Sequence, residues 1–366
     1  MQKGVTDGVL VFVGSYSQPV PHAPHATGAG LSILEVELAT GGVRTRFEDR
    51  SIPNPAYLCV DATRRLVYAV SELWDGNEGL VSALEFDAEF RSVVSRTELP
   101  TGGPIPSYVS VVDRRYLLVS NYGDGSLVSF GLSPSGHLAS RASTVRIRGS
   151  GPHPHRQRGP HAHCVTPHPQ NGRIYAADLG ADKLIELELD SASGALAIGN
   201  EYSLVPGSGP RHLAFDPSGT VALVVSELSS RLSVWSVDSD GSLLEHQDLP
   251  MLPDHCSVTS FGADVVMTAD GTRAFASNRG HDSIARYERT PSGTFRVAGW
   301  QPTGATPRSL ALTPDDSHLL VANQDADCVS IHRVTPDDGL VRDFAIAVGT
   351  PSYVHCINSA VGREVA

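Results

Sequence analysis

The sequence predicts an all-β chain folded as a seven-bladed β-propeller, and three observations carry that prediction: a short apolar run recurs seven times, an alternating run follows each copy, and a Pro-led run precedes most copies. The apolar runs are LVFVGS (10–15), LVYAVSE (66–72), LLVSN (117–121), IYAAD (174–178), LVVSE (223–227), AFASN (274–278) and LLVAN (319–323). The last six end at Glu72, Asn121, Asp178, Glu227, Asn278 and Asn323, in steps of 49, 57, 49, 51 and 45 residues. A period of about 50 lies in the range of propeller blades.

Each element has its own signal. The apolar runs are too short for helices and read as strands, while the runs behind them alternate with period two and predict half-buried strands. These are LSILEVEL (31–38), LVSALEF, SLVSFGL, KLIELEL, RLSVWSV, SIARYER and CVSIHRV (328–334). Turn sequences follow as ATGG, SPSG, SASG, DSDG, TPSG and TPDDG, where Gly, Asp and Ser supply the backbone angles a tight reversal needs. The Pro-led runs are NPAYLCV (54–60), IPSYVSV (105–111), GPHAHCV (159–165), GPRHLAF (209–215), TPRSLAL (306–312) and TPSYVHC (350–356); the seventh, FGADVVM (261–267), lacks the Pro. TPSYVHC has no apolar run after it, and LVFVGS has no Pro-led run before it. Those halves predict one shared blade that closes the ring by pairing the C-terminal strand with N-terminal strands, which removes exposed edges. The whole chain, 1–366, therefore reads as a single domain.

Composition narrows the function. Gly and Pro number 35 and 25 in 366 residues, and charged residues make up 19 % where about 25 % is usual, as a turn-rich β chain requires. A net charge of −12 disfavours nucleic acid and anionic membrane surfaces as partners and leaves a small solute. No apolar stretch approaches the roughly 18 residues of a membrane span, and the run Val9 to Val13 lacks the flanks of a signal peptide. The five cysteines, Cys59, Cys164, Cys256, Cys328 and Cys356, are far apart and form no CxxC pair, as expected of a reduced, cytoplasmic protein.

In a four-stranded blade the first strand lines the channel and the second runs antiparallel beside it, so the start of one and the end of the other share a rim. That rim collects His161, His163, Arg211, His212 and Arg308 from first-strand starts. From second-strand ends it collects Glu72, Asp178, Glu227, Asn278 and Arg279. A concave site with convergent ionisable groups is the expected binding site.

From VFVGSYS through NPAYLCVD, NYGDGSL, GPHAHCV, GSGPRHLAF, SELSSRLSVW, SNRGHDSIA and TPRSLAL to ANQDADCVSIHRV, nearly the whole chain resembles the seven-bladed propeller lactonases. That family includes bacterial 6-phosphogluconolactonase and fungal 3-carboxymuconate cyclase types. The resemblance implies a catalytic set of His163, Arg211, Glu227 and Arg279, no cofactor and no metal, and a small anionic lactone or carboxylate as substrate. It implies hydrolysis of a sugar-type lactone, 6-phosphogluconolactone first, with an intramolecular lyase acting on a carboxymuconate-type diacid as the alternative. A propeller used as a non-enzymatic binding platform is a third reading, because fold does not fix function. The chain departs from the family at Ser226, where Asn is usual, and at Ala263 and Asp264, where Ala-Glu is usual.

The candidates also have chemistry of their own. Arg211 and Arg279 offer planar donor forks suited to carboxylate or phosphate, and either Glu227 or His163 is expected to activate water. Glu227 can equally be the counter-ion that organises the arginines. His161, His212, Asn278 and Arg308 are expected at the substrate. The 57-residue step contains RIRGSGPHPHRQRGP (146–160), a basic insertion that is either a solvated surface loop or an anion-contacting flap; Arg156 and Arg158 are its candidate contacts. The pairs His153 with His155 and His161 with His163 have the alternate spacing of a zinc or nickel site. His22 and His25 read as loop residues. No GxSxG elbow, P-loop or GxGxxG followed by a helix is present, so hydrolysis by activated water remains.

Overall fold

The computed structural model describes residues 8–335 and 339–359. Among these residues the chain forms seven four-stranded antiparallel sheets. Six are continuous in sequence, and the seventh joins Pro351–Asn358 to Gly8–Ser15, Leu31–Glu37 and Gly42–Asp49. The closure is the one expected from the two orphan runs, with Val11 opposite Cys356 and Val13 opposite Val354. Numbered in chain order, blade 1 covers 55–100, blade 2 106–146, blade 3 162–203, blade 4 210–250, blade 5 261–302, blade 6 307–347, and the shared sheet is blade 7.

Second strands such as Leu66–Ser71, Tyr116–Asn121 and Val221–Ser226 are buried along their whole length. Neighbouring blades cover both of their faces, so they read as unbroken apolar runs. The outermost strands, such as Val93–Pro100 and Leu196–Ser203, are largely exposed, and their Arg, Glu and Thr content hides them from hydropathy. The turns between third and fourth strands carry glycine where φ is positive, as at Gly136 (92°) and Gly241 (88°). The carbonyls there accept from tyrosines of the preceding blade: Tyr68 reaches Gly136 at 2.7 Å and Tyr175 reaches Gly241 at 2.5 Å. The TPDDG turn falls partly outside the described residues.

The apolar core is divided. One cluster lies in each seam between blades; Val11, Leu34, Leu320 and Ile331 join blades 7 and 6, for example, and Tyr68, Val81, Leu117 and Phe130 join blades 1 and 2. Cohesion therefore comes from the seams, and the axis of the ring is left to polar groups.

Candidate active site

Six of the innermost strands are bulged one residue in from their start, and that of blade 5 two residues in. Pro55 pairs with Ser71 and Tyr57 with Val70, leaving Ala56 outside the ladder. The same skip frees Ser107, His163, Arg211, Arg308 and Ser352, and in blade 5 it sets Ala263 and Asp264 against Ser277. A bulge turns the extra residue out of the sheet's own pattern and re-aims its side chain. Six of these residues, Ala56, Ser107, His163, Arg211, Arg308 and Ser352, line one cavity of about 290 Å3 at the mouth of the channel. Chain that follows the second strands adds Glu72, Tyr122 and Glu227, and the end of one such strand adds Arg279.

Tyr57 and His212 line this cavity and rest on further aromatic rings. Tyr57 stacks on Tyr108 at 4.0 Å and leans on Tyr353 at 4.2 Å, with the His212 ring edge-on to the first two. His212 Nδ1 lies 2.9 Å from Asp264 Oδ1, which places the ring proton on that nitrogen. Asp264 also accepts from the backbone of Leu310 and Val265, each at 2.9 Å, and so ties blades 4, 5 and 6 together.

The walls carry two carboxylate poles. Glu227, 3 % exposed, accepts from Arg156 at 2.5 Å and Arg279 at 2.8 Å and lies 3.3 Å from Arg211 Nε. Burial alone would raise its pKa, but the charges of Arg279, Arg156 and Arg211 override that and hold it well below the ordinary carboxylate range. Arg211 is pulled down to about 9, first by burial and then by Arg279 and Arg308, and stays cationic at neutral pH. Glu72, also 3 % exposed, accepts from Tyr16 at 2.8 Å and Trp74 at 2.7 Å, while Arg308 stands off at 3.9 Å. Burial opposes its charge too; His22, Arg308 and those two donors keep the carboxyl below its usual value.

His163 lies within the cavity lining, with Nδ1 buried and without a hydrogen-bond partner. Burial, reinforced by Arg211, His212, Arg308 and Arg279, holds its pKa well below the ordinary imidazole value, so the ring is neutral at pH 7. Because Nδ1 is sealed off, Nε2 is the nitrogen through which the neutral ring faces the cavity.

The family model for the seven-bladed β-propeller lactonases matches residues 10–357. The chain belongs to that family. The 6-phosphogluconolactonase of Bacillus subtilis is 30 % identical to this lactonase-family chain over 308 residues, covering 83 % of the chain and 86 % of the relative. Among solved structures, a putative 6-phosphogluconolactonase from Bacteroides fragilis superposes with a TM-score of 0.87 at 27 % identity, covering 96 % of this chain and 98 % of that one. The Pseudomonas aeruginosa periplasmic gluconolactonase gives a TM-score of 0.88 at 26 % identity, covering 96 % and 99 %.

Within this lactonase-family site the structure gathers His163, Arg211, Glu227 and Arg279 around one cavity, with His212, Arg308 and Arg156. It leaves others outside. Arg158 is exposed and donates to Pro154 O at 2.6 Å within its own loop. His161 stacks on Tyr122 at 4.5 Å and backs that ring, outside the cavity lining. Asn278 is fully buried, its amide bound to Met251 O at 2.7 Å and Ser283 Oγ at 3.2 Å, so it serves the sheet. Asp178 lies under its own turn, accepting from Ala181 N at 2.6 Å.

The insertion at 146–160 is anchored, not merely solvated. Gln157 is fully buried and donates to Leu179 O at 2.9 Å and Asp182 Oδ1 at 2.7 Å, which delivers Arg156 to Glu227. His153 Nδ1 accepts from the backbone of Arg156 at 3.1 Å and His155 at 3.3 Å, a loop-capping role. Among the described residues no group of three or more His, Cys, Asp or Glu is placed to hold a metal ion. His22 corrects the sequence reading: it lines the cavity, with Nε2 2.9 Å from the Tyr16 hydroxyl and 3.5 Å from Glu72. Tyr16, Trp74 and Tyr122 are further residues the sequence did not single out. For Tyr122 a signal existed, since it directly follows the apolar run ending at Asn121, as Glu227 follows Ser226.

Proposed function

We propose that this protein hydrolyses the lactone of an anionic sugar acid, with 6-phosphogluconolactone as the leading substrate. The observation that carries this reading is the charge balance of the cavity. Four guanidinium groups, Arg156, Arg211, Arg279 and Arg308, face two carboxylates, Glu72 and Glu227, so the lining holds an excess of two positive charges in a small buried space. A dianionic metabolite neutralises that excess, and the volume suits a small molecule. The names of the relatives support the same substrate class.

In the proposed reaction water attacks the lactone carbonyl carbon and passes a proton to His163. The carbonyl electrons move to oxygen, where Arg211 and Arg279 meet the developing charge. Collapse re-forms the carbonyl, breaks the ring C–O bond and returns the proton to the departing alkoxide. Glu227 is a poor base while three arginines hold it ionised; its role is to set their positions. A developing oxyanion offsets the arginines and raises the basicity of His163 when the proton has to move.

The test is acid release from 6-phosphogluconolactone by chelator-treated protein, read against spontaneous hydrolysis and beside His163→Gln. Acceleration that the variant loses supports the reading. No acceleration removes this substrate, and conversion of a carboxymuconate-type diacid in its place would support the cycloisomerase reading, which the same charge excess accommodates.

A further inference from the structure

The four cavity arginines are not equally committed. Arg211 donates to Ala263 O at 2.5 Å and faces Glu227. Arg279 donates to Gly262 O at 3.0 Å and pairs with Glu227 at 2.8 Å. Arg156 is shared between Glu227 and the Tyr122 hydroxyl, at 2.5 and 3.2 Å. Arg308 differs. Its side chain is 12 % exposed, yet its nearest carboxylate oxygen, on Glu72, is 3.9 Å away, beyond hydrogen-bond reach, and its guanidinium lies over the Tyr16 ring at 5.5 Å.

Glu72 does not need Arg308 to be satisfied, because Tyr16 and Trp74 already donate to its two oxygens. The carboxylate is held back by those donors, and the guanidinium, which meets the Tyr16 hydroxyl, lines the cavity with no carboxylate within hydrogen-bond reach. A mostly buried cation without a directly bonded counter-ion is costly unless a ligand anion completes it. Around it, Trp74, 40 % exposed, and His22 line the cavity with their rings edge-on to each other at 5.8 Å.

We propose that Arg308, framed by Tyr16, Glu72 and Trp74, is the subsite for the substrate's distal anionic group, and that the Glu227 arginines serve the carbonyl end. This assignment rests on the lactone reading above and divides its cavity into two ends. The chemistry recognised is a compact oxyanion with at least two acceptor oxygens, either a phosphate monoester or a second carboxylate.

The experiment is calorimetric binding, which does not depend on turnover. Wild type, Arg308→Gln and Arg308→Lys are titrated with 6-phosphogluconate, gluconate and cis,cis-muconate. Arg296→Gln, which removes an exposed arginine of blade 5, controls for overall charge. Wild type and Arg296→Gln are expected to prefer 6-phosphogluconate over gluconate by about tenfold or more, and Arg308→Gln to bring that ratio near one. Arg308→Lys, which keeps the charge without the fork, should lie between, and it carries the test if the Gln variant does not fold. Preference for muconate, lost in the same variants, would support the subsite with a carboxylate as its ligand. An unchanged ratio, an equal loss for both sugar acids, or no binding of any of the three acids to wild type would overturn the assignment. Lactone turnover measured in parallel reports separately on the hydrolase reading: binding that behaves as expected without turnover sinks that reading and leaves the subsite standing.

Discussion

Arg156 and Glu227 are 71 residues apart, one in the connection between blades 2 and 3 and the other at the end of a blade 4 strand, yet Nη2 of the first donates to Oε1 of the second at 2.5 Å. The contact makes the long insertion part of the cavity wall. It also gives Glu227 its third arginine, and with it the charge balance on which the proposed chemistry depends.

Gln157 holds that contact from below. Gln157→Ala removes donors to Leu179 O and Asp182 and leaves those acceptors buried. The expected cost is about 1–3 kcal/mol in stability, seen as a lower Tm, with a larger loss in kcat/KM as Arg156 leaves Glu227. A stability loss with unchanged kcat/KM would separate the loop from function.

Glu227→Gln should destabilise the fold strongly, by about 3–5 kcal/mol, because it strands neighbouring guanidiniums without their shared counter-ion. Added phosphate or sulfate should recover part of the loss, since an anion can enter the cavity in its place. Thermal denaturation with and without 50 mM-scale anion, roughly, is the check; no greater recovery than wild type shows would contradict the account.

Acid should weaken the protein before it protonates ordinary carboxylates. His212 is lowered to about 4, by burial first and then Arg211, and His22 to about 4, by burial first and then Arg308. Their folded values lie below the unfolded 6.5, so the unfolded chain takes up protons that the native chain refuses. This stabilisation is present above pH 6.5 and is lost as pH falls toward 4. Urea midpoints should therefore be lower at pH 5 than at pH 7, and His212→Gln should flatten that dependence.

Asp264→Ala should release the His212 ring and leave the Leu310 and Val265 amides without their acceptor, a loss of about 2–4 kcal/mol. Asp264→Glu, one methylene longer, tests reach: recovery of stability without recovery of activity would mean that the shorter side chain sets the position of His212.

The architecture was legible because blade strands repeat. Two faces covered by neighbours demand apolar runs at Leu66–Ser71 and Val221–Ser226, and the Pro before Ala56, Ser107, Arg211, Arg308 and Ser352 marks the start of five of the seven channel strands. Fourth strands such as Leu196–Ser203 were not legible, because one exposed face and polar side chains leave little hydropathic trace. Arg158 and Asn278 show the limit within the site itself. Arg158 is two residues from Arg156 and points elsewhere, while Asn278 adjoins Arg279 but bonds inward to Met251 and Ser283.

The sequence by itself determined the ring, its seven blades, its closure and the rim on which His163, Arg211, Glu227 and Arg279 converge, because these follow from periodicity and from which strand end shares a face. Only the tertiary structure decided which of those groups spend their hydrogen bonds on one another. Tyr16, His22 and Trp74 join Glu72, the insertion brings Arg156 to Glu227, and Arg308 is left without a carboxylate within hydrogen-bond reach. Pairing of that kind depends on distances of a few tenths of an ångström between blades far apart in the chain, and no local pattern records them.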